Sequence, residues 1–300
     1  MNVLLCGDMD AAEHAQWLDA LTAAMPEARW LDLDQAHRQP DAVTAAVVAN
    51  PPPGSLQGLP QLRLVQSLWA GVDRLLADAT LPAGVPVARR VDPAMNAAMA
   101  ETALWAVLSL HRGFFAYAQR QREGRWLPHA QRRADEVRVL VLGQGQMGRA
   151  ASARIAALGY RVSGWRRDGT PLAPRLAQAD VVINLLPLTP QTSGLLNASF
   201  FAALPAKAGV VNLARGRHVV DADLMAALDS GHIRHAVLDV FHTEPLPAGH
   251  PYWRHPRVTV LPHAAAMTDA RSAAAVAVAN LRAARDGLPL MNLVEASRGY

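Results

Sequence analysis

The strongest constraint on the fold lies at residues 138–148, where the apolar run Arg138-Val139-Leu140-Val141-Leu142 passes into Gly143-Gln144-Gly145-Gln146-Met147-Gly148. An apolar strand feeding a G-x-G-x-x-G turn that opens a helix is the pattern of a dinucleotide-binding βαβ unit. Each glycine has its own reason: Gly143 permits the tight turn, Gly145 lets backbone approach a pyrophosphate, and Gly148 lets helix and strand pack closely. Gln146 and Met147 open the helix, whose N-terminus faces the phosphates. About 20 residues on, an NAD site carries Asp or Glu for the ribose hydroxyls. Here the second strand ends Trp165-Arg166-Arg167. Guanidinium groups offer paired donors to a 2′-phosphate and a stacking plane to adenine. The sequence therefore favours NADPH, and NADH stays open through a loop shift that would bring in Asp168.

Around this unit, short apolar runs alternate with helical stretches. Strands are expected at Val3–Cys6, Ala45–Ala49, Leu64–Ser67, Val137–Leu142, Tyr160–Trp165, Val181–Leu186, Gly209–Leu213, His235–Val240 and Val258–Leu261. Helices are expected at Ala11–Ala24, from Asn96 to about Gln121, at Met147–Leu158, at Ala222–Asp229 and from Asp269 to Asp286. Near-continuous apolar strands in β-α-β order imply parallel sheets covered on both faces. At roughly 150 residues per domain, 300 residues suggest two domains. We expect residues 1–100 plus 269–300 to form a substrate domain and 101–268 a dinucleotide-binding domain, the last helix returning to the first.

Composition narrows the function classes. With 51% hydrophobic and 18% charged residues the chain is globular, and its single cysteine, Cys6, excludes a disulfide framework or a multi-cysteine metal site. No metal is expected. The start has no basic n-region and no apolar run reaches membrane-spanning length, so a soluble cytoplasmic protein is expected. A formal charge of +4 fits either nucleic acid or an anionic small molecule.

Three strand ends carry chemistry: Val211-Asn212-Leu213-Ala214-Arg215-Gly216-Arg217, Leu238-Asp239-Val240-Phe241-His242-Thr243-Glu244-Pro245 and Leu261-Pro262-His263-Ala264. Ligands of doubly wound sheets sit at the carboxyl ends of strands, which gathers one Arg, one Glu and one His.

Together with Leu68-Trp69-Ala70-Gly71-Val72-Asp73 and Asn184-Leu185-Leu186-Pro187-Leu188-Thr189-Pro190-Gln191-Thr192, these segments resemble the D-isomer-specific 2-hydroxyacid dehydrogenases. Within that family they are most similar to the short bacterial glyoxylate/hydroxypyruvate reductases, down to the ending Arg298-Gly299-Tyr300. The resemblance implies a flavodoxin-like substrate domain, a Rossmann cofactor domain and NADPH-preferring reduction of glyoxylate to glycolate and hydroxypyruvate to D-glycerate. It implies Arg215 as the grip on the 2-oxo acid, His263 as general acid and Glu244 as its partner. A glutamate there speaks against a formate-dehydrogenase-like variant, where the family's histidine partner is Gln. The resemblance further implies that backbone amides of Trp69, Ala70, Gly71 and Val72 bind the substrate carboxylate. Leu186, Pro187 and Thr192 would line the cofactor, Leu213 and Ala214 would flank the nicotinamide, and Asp239 would bond its carboxamide.

The remaining histidines, His218, His232, His235 and His242 among them, read as exposed or turn residues. The Arg-rich stretch 111–135, with Phe114, Phe115, Tyr117 and Trp126, resembles the family's dimer arm rather than a nucleic-acid surface. Trp126 would reach the partner's site. At 300 residues no appended regulatory domain is expected. A broader 2-ketoacid reductase and a non-catalytic dinucleotide sensor are the rival readings.

Overall fold

A computed structural model describes residues 1–295 and divides them into two compact units. One unit is Met1–Ala94 with the chain from Thr268 onward, and the other is Met95–Met267. The Arg298-Gly299-Tyr300 ending lies outside the described residues.

The first unit holds β1 (Asn2–Gly7), β2 (Arg29–Leu31), β3 (Val43–Ala49), β4 (Val65–Ser67) and β5 (Val87–Ala88). They pair in parallel in the order β2-β1-β3-β4-β5, the flavodoxin order. Alternate side chains leave opposite faces of the strands, so β1 sends Val3 and Leu5 into one core and Leu4 and Cys6 into another. Burial pushes the Cys6 thiol up to about 12, which makes it a packing residue at neutral pH.

Helix Ala270–Asp286 is capped by the Asp269 side chain on the amides of Arg271 and Ser272, and Gly287 ends it with φ 68°. Its buried Ala270, Ala273, Ala274, Ala277, Val278 and Leu281 follow helical spacing. They join Trp17 and Leu21 of helix Ala11–Ala24 in one core, so the C-terminal helix completes the first unit.

The second unit holds β6 (Arg138–Leu142), β7 (Arg161–Trp165), β8 (Val181–Asn184), β9 (Ala208–Asn212), β10 (Ile233–Leu238) and β11 (Val258–Val260). Again every pairing is parallel, in the order β11-β10-β9-β8-β6-β7. Val139, Val141, Val181, Ile183 and Val211 face one core, while Leu140, Leu142, Val182 and Val210 face the other. Each such side chain contributes about 1.5–3 kcal/mol by leaving water. Because the chain goes outward from β6 to β7 and returns to β8, the strand order reverses between β6 and β8. A reversal of this kind opens a crevice at the carboxyl ends of the strands.

Two differences from the sequence reading fall between Pro93 and Arg122. The helical stretch from Asn96 to Gln121 is two helices, Pro93–Arg112 and Phe114–Arg122, parted by Gly113 at φ 72°. A Cβ on Gly113 would lie 2.2 Å from the His129 ring, so the break accommodates the returning chain. The expected boundary at Glu101 falls inside the first of these helices, and the compact units part at Ala94 and Met95.

Candidate active site

The glycine loop has the geometry its residues imply. Gly143 adopts φ 91°, and a Cβ there would lie 2.4 Å from the Leu185 carbonyl oxygen. Gly148 sits in the first turn of helix Gln146–Ala156, where a Cβ would come within 1.8 Å of the Gly143 oxygen. Gly145, the N-cap, differs from both: nothing lies within 4 Å of its Cβ position. Gly143 thus lets the turn pass close to the chain after β8, Gly148 packs the helix onto the turn, and Gly145 leaves open space at a helix N-terminus, a cradle that fits a dinucleotide pyrophosphate.

Beyond β7 the side chains divide. Trp165 is buried in the core and its indole donates to the Thr170 carbonyl at 2.8 Å, so it offers only backbone to the crevice. Arg166 and Arg167 are exposed. Arg166 pairs with Asp168 at 2.8 Å, and Thr170 donates to the same carboxylate. These contacts, Thr170 first, hold the Asp168 carboxyl down at about 2. The carboxylate is therefore engaged by its own turn, and the loop shift that would bring it to a ribose has to break those bonds.

In the loop after β8, Leu186 is buried, Pro187 is half-buried, and Thr192 is buried with its hydroxyl bonded to the Pro187 oxygen at 2.8 Å. That hydroxyl also accepts the Thr189 amide at 2.8 Å. Thr192 therefore ties the loop together from within.

Arg215 leaves the end of β9 after buried Leu213 and Ala214, with Nη1 donating to the Ala214 oxygen at 2.7 Å. A Cβ on the following Gly216 would lie 1.9 Å from the Phe241 carbonyl carbon. Only glycine permits this approach, which presses the Arg215 turn against the backbone that leads to Glu244.

Glu244 and His263 meet directly. His263 Nδ1 lies 2.7 Å from Glu244 Oε2, and Glu244 Oε1 accepts the Phe241 amide at 2.8 Å. The glutamate's hydrogen bond raises the His263 pKa above the ordinary imidazole range, with burial opposing. Burial pulls Glu244 upward, but the bonds from His263 and Phe241 outweigh it and hold the carboxyl below its usual range. The His263 side chain keeps 54% of its surface exposed, so the ring is open to a ligand while one nitrogen is fixed.

His263 takes φ 52°, in the left-handed region, and Asp239 sustains that backbone. The Asp239 carbonyl accepts the His263 amide at 2.9 Å, and its carboxylate accepts the amides of Ala264 and Ala265 at 2.7 and 3.1 Å. Asp239 is 2% exposed, and burial lifts its carboxyl above the usual range. Sequence reasoning gave it a cofactor contact and missed this support of the histidine. The signal was its place at the end of β10, one strand from β11, which feeds His263.

In the other unit, Trp69, Ala70 and Gly71 are half-buried and Val72 is buried in the turn after β4. The Trp69 amide donates to Ser67 Oγ at 3.0 Å, and its indole meets Trp17 edge-on at 6.1 Å. Among the described residues no group of three His, Cys, Asp or Glu side chains is placed to hold a metal ion. Among the described residues no helix is long and apolar enough to cross a membrane.

Two histidines correct the sequence reading. His218 is 0% exposed, between the ends of β8 and β9. His235 is buried too, stacks on Phe115 at 4.2 Å and is pushed down to about 4 by burial, so it is neutral at neutral pH. In both, residues distant in the chain close over the ring: Asn184 and Pro187 over His218, and Phe115 over His235.

Two parallel α/β units, one carrying a dinucleotide loop with an Arg–Glu–His group at the carboxyl ends of its strands, define a nicotinamide-dependent oxidoreductase. Residues 104–265 match the D-isomer specific 2-hydroxyacid dehydrogenase, NAD binding domain. Glyoxylate/hydroxypyruvate reductase A of Yersinia enterocolitica is 37% identical, over 96% of this chain and 97% of its own. A D-isomer specific 2-hydroxyacid dehydrogenase of Xanthobacter autotrophicus Py2, solved with NADPH and MES, superposes with a TM-score of 0.92 at 40% identity, covering 100% of this chain and 99% of its own. An NADPH-dependent glyoxylate/hydroxypyruvate reductase of Sinorhizobium meliloti, solved with NADP and sulfate, gives 0.91 at 32% identity over 100% and 99%. The chain belongs to the D-isomer specific 2-hydroxyacid dehydrogenase family and is an NAD(P)-dependent dehydrogenase.

Proposed function

We propose that this protein reduces small 2-oxo acids, glyoxylate and hydroxypyruvate foremost, with NADPH as donor. The observation that carries the reading is the 2.7 Å bond between His263 Nδ1 and Glu244 Oε2 beside the Arg215 turn. The reductases of Yersinia enterocolitica and Sinorhizobium meliloti support the substrate class, and the NADPH and NADP complexes support the cofactor.

Gly143, Gly145 and Gly148 with the amides of Gln146 and Met147 hold the pyrophosphate, and Arg166 and Arg167 take the 2′-phosphate. Leu186, Pro187, Leu213 and Ala214 line the nicotinamide half, and the spare acceptor capacity of Asp239 takes the carboxamide. When bound, NADPH supplies the hydride. The chain's own residues manage the charge that results. As C2 of the oxo acid is reduced, its carbonyl oxygen gains alkoxide character, and His263 gives that oxygen a proton from Nε2. Glu244 keeps Nδ1–H pointed at itself, which fixes the ring and stabilises the imidazolium before transfer. Arg215 binds carboxylate and carbonyl oxygens through its paired donors and stabilises the developing negative charge. Amides of Trp69, Ala70, Gly71 and Val72 serve the substrate carboxylate. In this reading Met95–Met267 is the cofactor domain and the other unit the substrate domain.

The stretch 111–135 forms a homodimer arm, supported by Trp126, which is 99% exposed, and Phe114, which is 52% exposed. The test of function is NADPH oxidation against a panel of 2-oxo acids. Turnover fastest with the two-carbon and three-carbon acids supports the reading, and none above background refutes it.

A further inference from the structure

Three polar side chains lie together inside the cofactor unit with no exposed surface: Asn184, Asn212 and His218. Asn184 ends β8 and Asn212 ends β9, and the two residues are register partners. Buried polar groups at strand ends are costly unless each finds a partner, so their bonds state what they are there to hold.

The bonds admit one assignment of donors. The Leu186 amide donates to Asn184 Oδ1 at 3.2 Å, so the Asn184 amine faces away from it. That amine reaches Asn212 Oδ1 and His218 Nδ1, each at 3.0 Å. Asn212 Oδ1 also accepts the Ala214 amide at 3.3 Å, and its amine donates to the Arg215 carbonyl at 2.9 Å. His218 Nδ1 is therefore an acceptor, and the ring proton sits on Nε2, 3.3 Å from the Pro187 carbonyl. One neutral imidazole thus links the loop after β8 with the turn after β9. That loop and that turn carry Leu186, Pro187, Ala214 and Arg215.

We infer that His218 is a positioning residue: through Asn184 and Asn212 it holds the 185–192 loop and the Arg215 turn in one register, so that nicotinamide contacts and the substrate-gripping arginine are set together. The inference rests on the proposed roles of Pro187 and Arg215. It predicts that losing the ring nitrogens loosens dinucleotide binding and misplaces Arg215 while the sheet stays folded.

The test compares wild type with His218→Leu and His218→Gln. Leucine removes both bonds, whereas the glutamine amide can accept from Asn184 and donate to Pro187. His218→Leu is expected to raise the NADPH Kd about tenfold and to lower kcat/KM for glyoxylate by about 10²-fold, the scale of a 1 Å misplacement. His218→Gln recovers most of both, at a melting temperature close to wild type. Amide exchange at Leu186 and Ala214 should rise in the Leu variant with the β8 and β9 core amides unchanged. Where His218→Leu does not fold, Asn184→Ser, which keeps a shorter acceptor but cannot reach the ring, takes its place with the same expectations. A folded variant with wild-type NADPH affinity and unchanged Leu186 and Ala214 exchange overturns the inference. Absence of 2-oxo acid turnover in the wild type overturns the proposed function instead, and the exchange comparison still decides the role of His218.

Discussion

Glu244 uses its two oxygens for two tasks: Oε1 accepts the Phe241 amide at 2.8 Å and Oε2 meets His263 Nδ1 at 2.7 Å. The first bond fixes the carboxylate to its own loop, and the second fixes the histidine to the carboxylate. The histidine proposed as the acid thus inherits its orientation from backbone, and its charge preference from a neighbour held below the usual carboxylate range.

In the proposed mechanism this pair sets the pH dependence of reduction, because the active form is the imidazolium and Glu244 raises the pKa at which it is lost. Reduction is therefore sustained at lower pH and declines as pH rises through that raised value. In Glu244→Gln the charge is gone and one of the two acceptor positions becomes a donor, so the remaining oxygen serves His263 only by giving up the Phe241 amide, and the decline starts at lower pH. kcat/KM for glyoxylate measured across pH in both proteins checks the direction. An unmoved alkaline limb contradicts it.

Arg215 is expected to act through geometry as well as charge. Arg215→Ala should lower kcat/KM by about 10²–10³, the cost of removing a donor from a developing oxyanion. Arg215→Lys keeps the charge but loses the fork, so it should recover only part of that loss. Steady-state kinetics on both variants measures the split.

The two kinds of glycine in the dinucleotide loop separate fold from binding. Gly148→Ala puts a methyl 1.8 Å from the Gly143 oxygen, where backbone cannot yield, and should cost about 3 kcal/mol of stability or more. Gly145→Ala meets open space and should leave the melting temperature unchanged while weakening NADPH binding. Thermal melts and cofactor titrations on the two variants distinguish these outcomes.

We expect cofactor choice to follow from the turn after β7. Arg166→Ser with Arg167→Ser removes the two cations and leaves Asp168 held by Thr170 alone, its charge no longer offset by Arg166 and so opposed to a 2′-phosphate. The ratio of kcat/KM for NADPH over NADH should fall by about tenfold or more. A ratio that stays at the wild-type value would place NADPH selection elsewhere.

Much of this arrangement was legible in the sequence because its carriers are local. Val139 to Leu142 are apolar at every position, as a strand buried on both faces requires, and glycine spacing marks the turn that follows. Helix Ala11–Ala24 was read to the residue because Asp10 caps it and Trp17 and Leu21 repeat at helical spacing. The strands Arg29–Leu31 and Val87–Ala88 were not legible, since two or three residues exist as strands only through their ladders with β1 and β4. His218 was misread for a related reason. Nothing beside it in the chain signals that Asn184, 34 residues earlier, closes over its ring. For Asp239 the sequence points to a ligand contact but is silent on its grip on the amides of Ala264 and Ala265, which depends on β10 and the chain after β11 lying side by side.

The central claim is that His263 delivers the proton. Its side chain is more than half exposed, so His263→Ala should fold normally. Steady-state NADPH oxidation with glyoxylate, measured beside NADPH affinity, tests the claim most directly. We expect affinity close to wild type and a kcat lower by at least about 10²-fold. A variant that binds NADPH and reduces glyoxylate at the wild-type rate contradicts the mechanism.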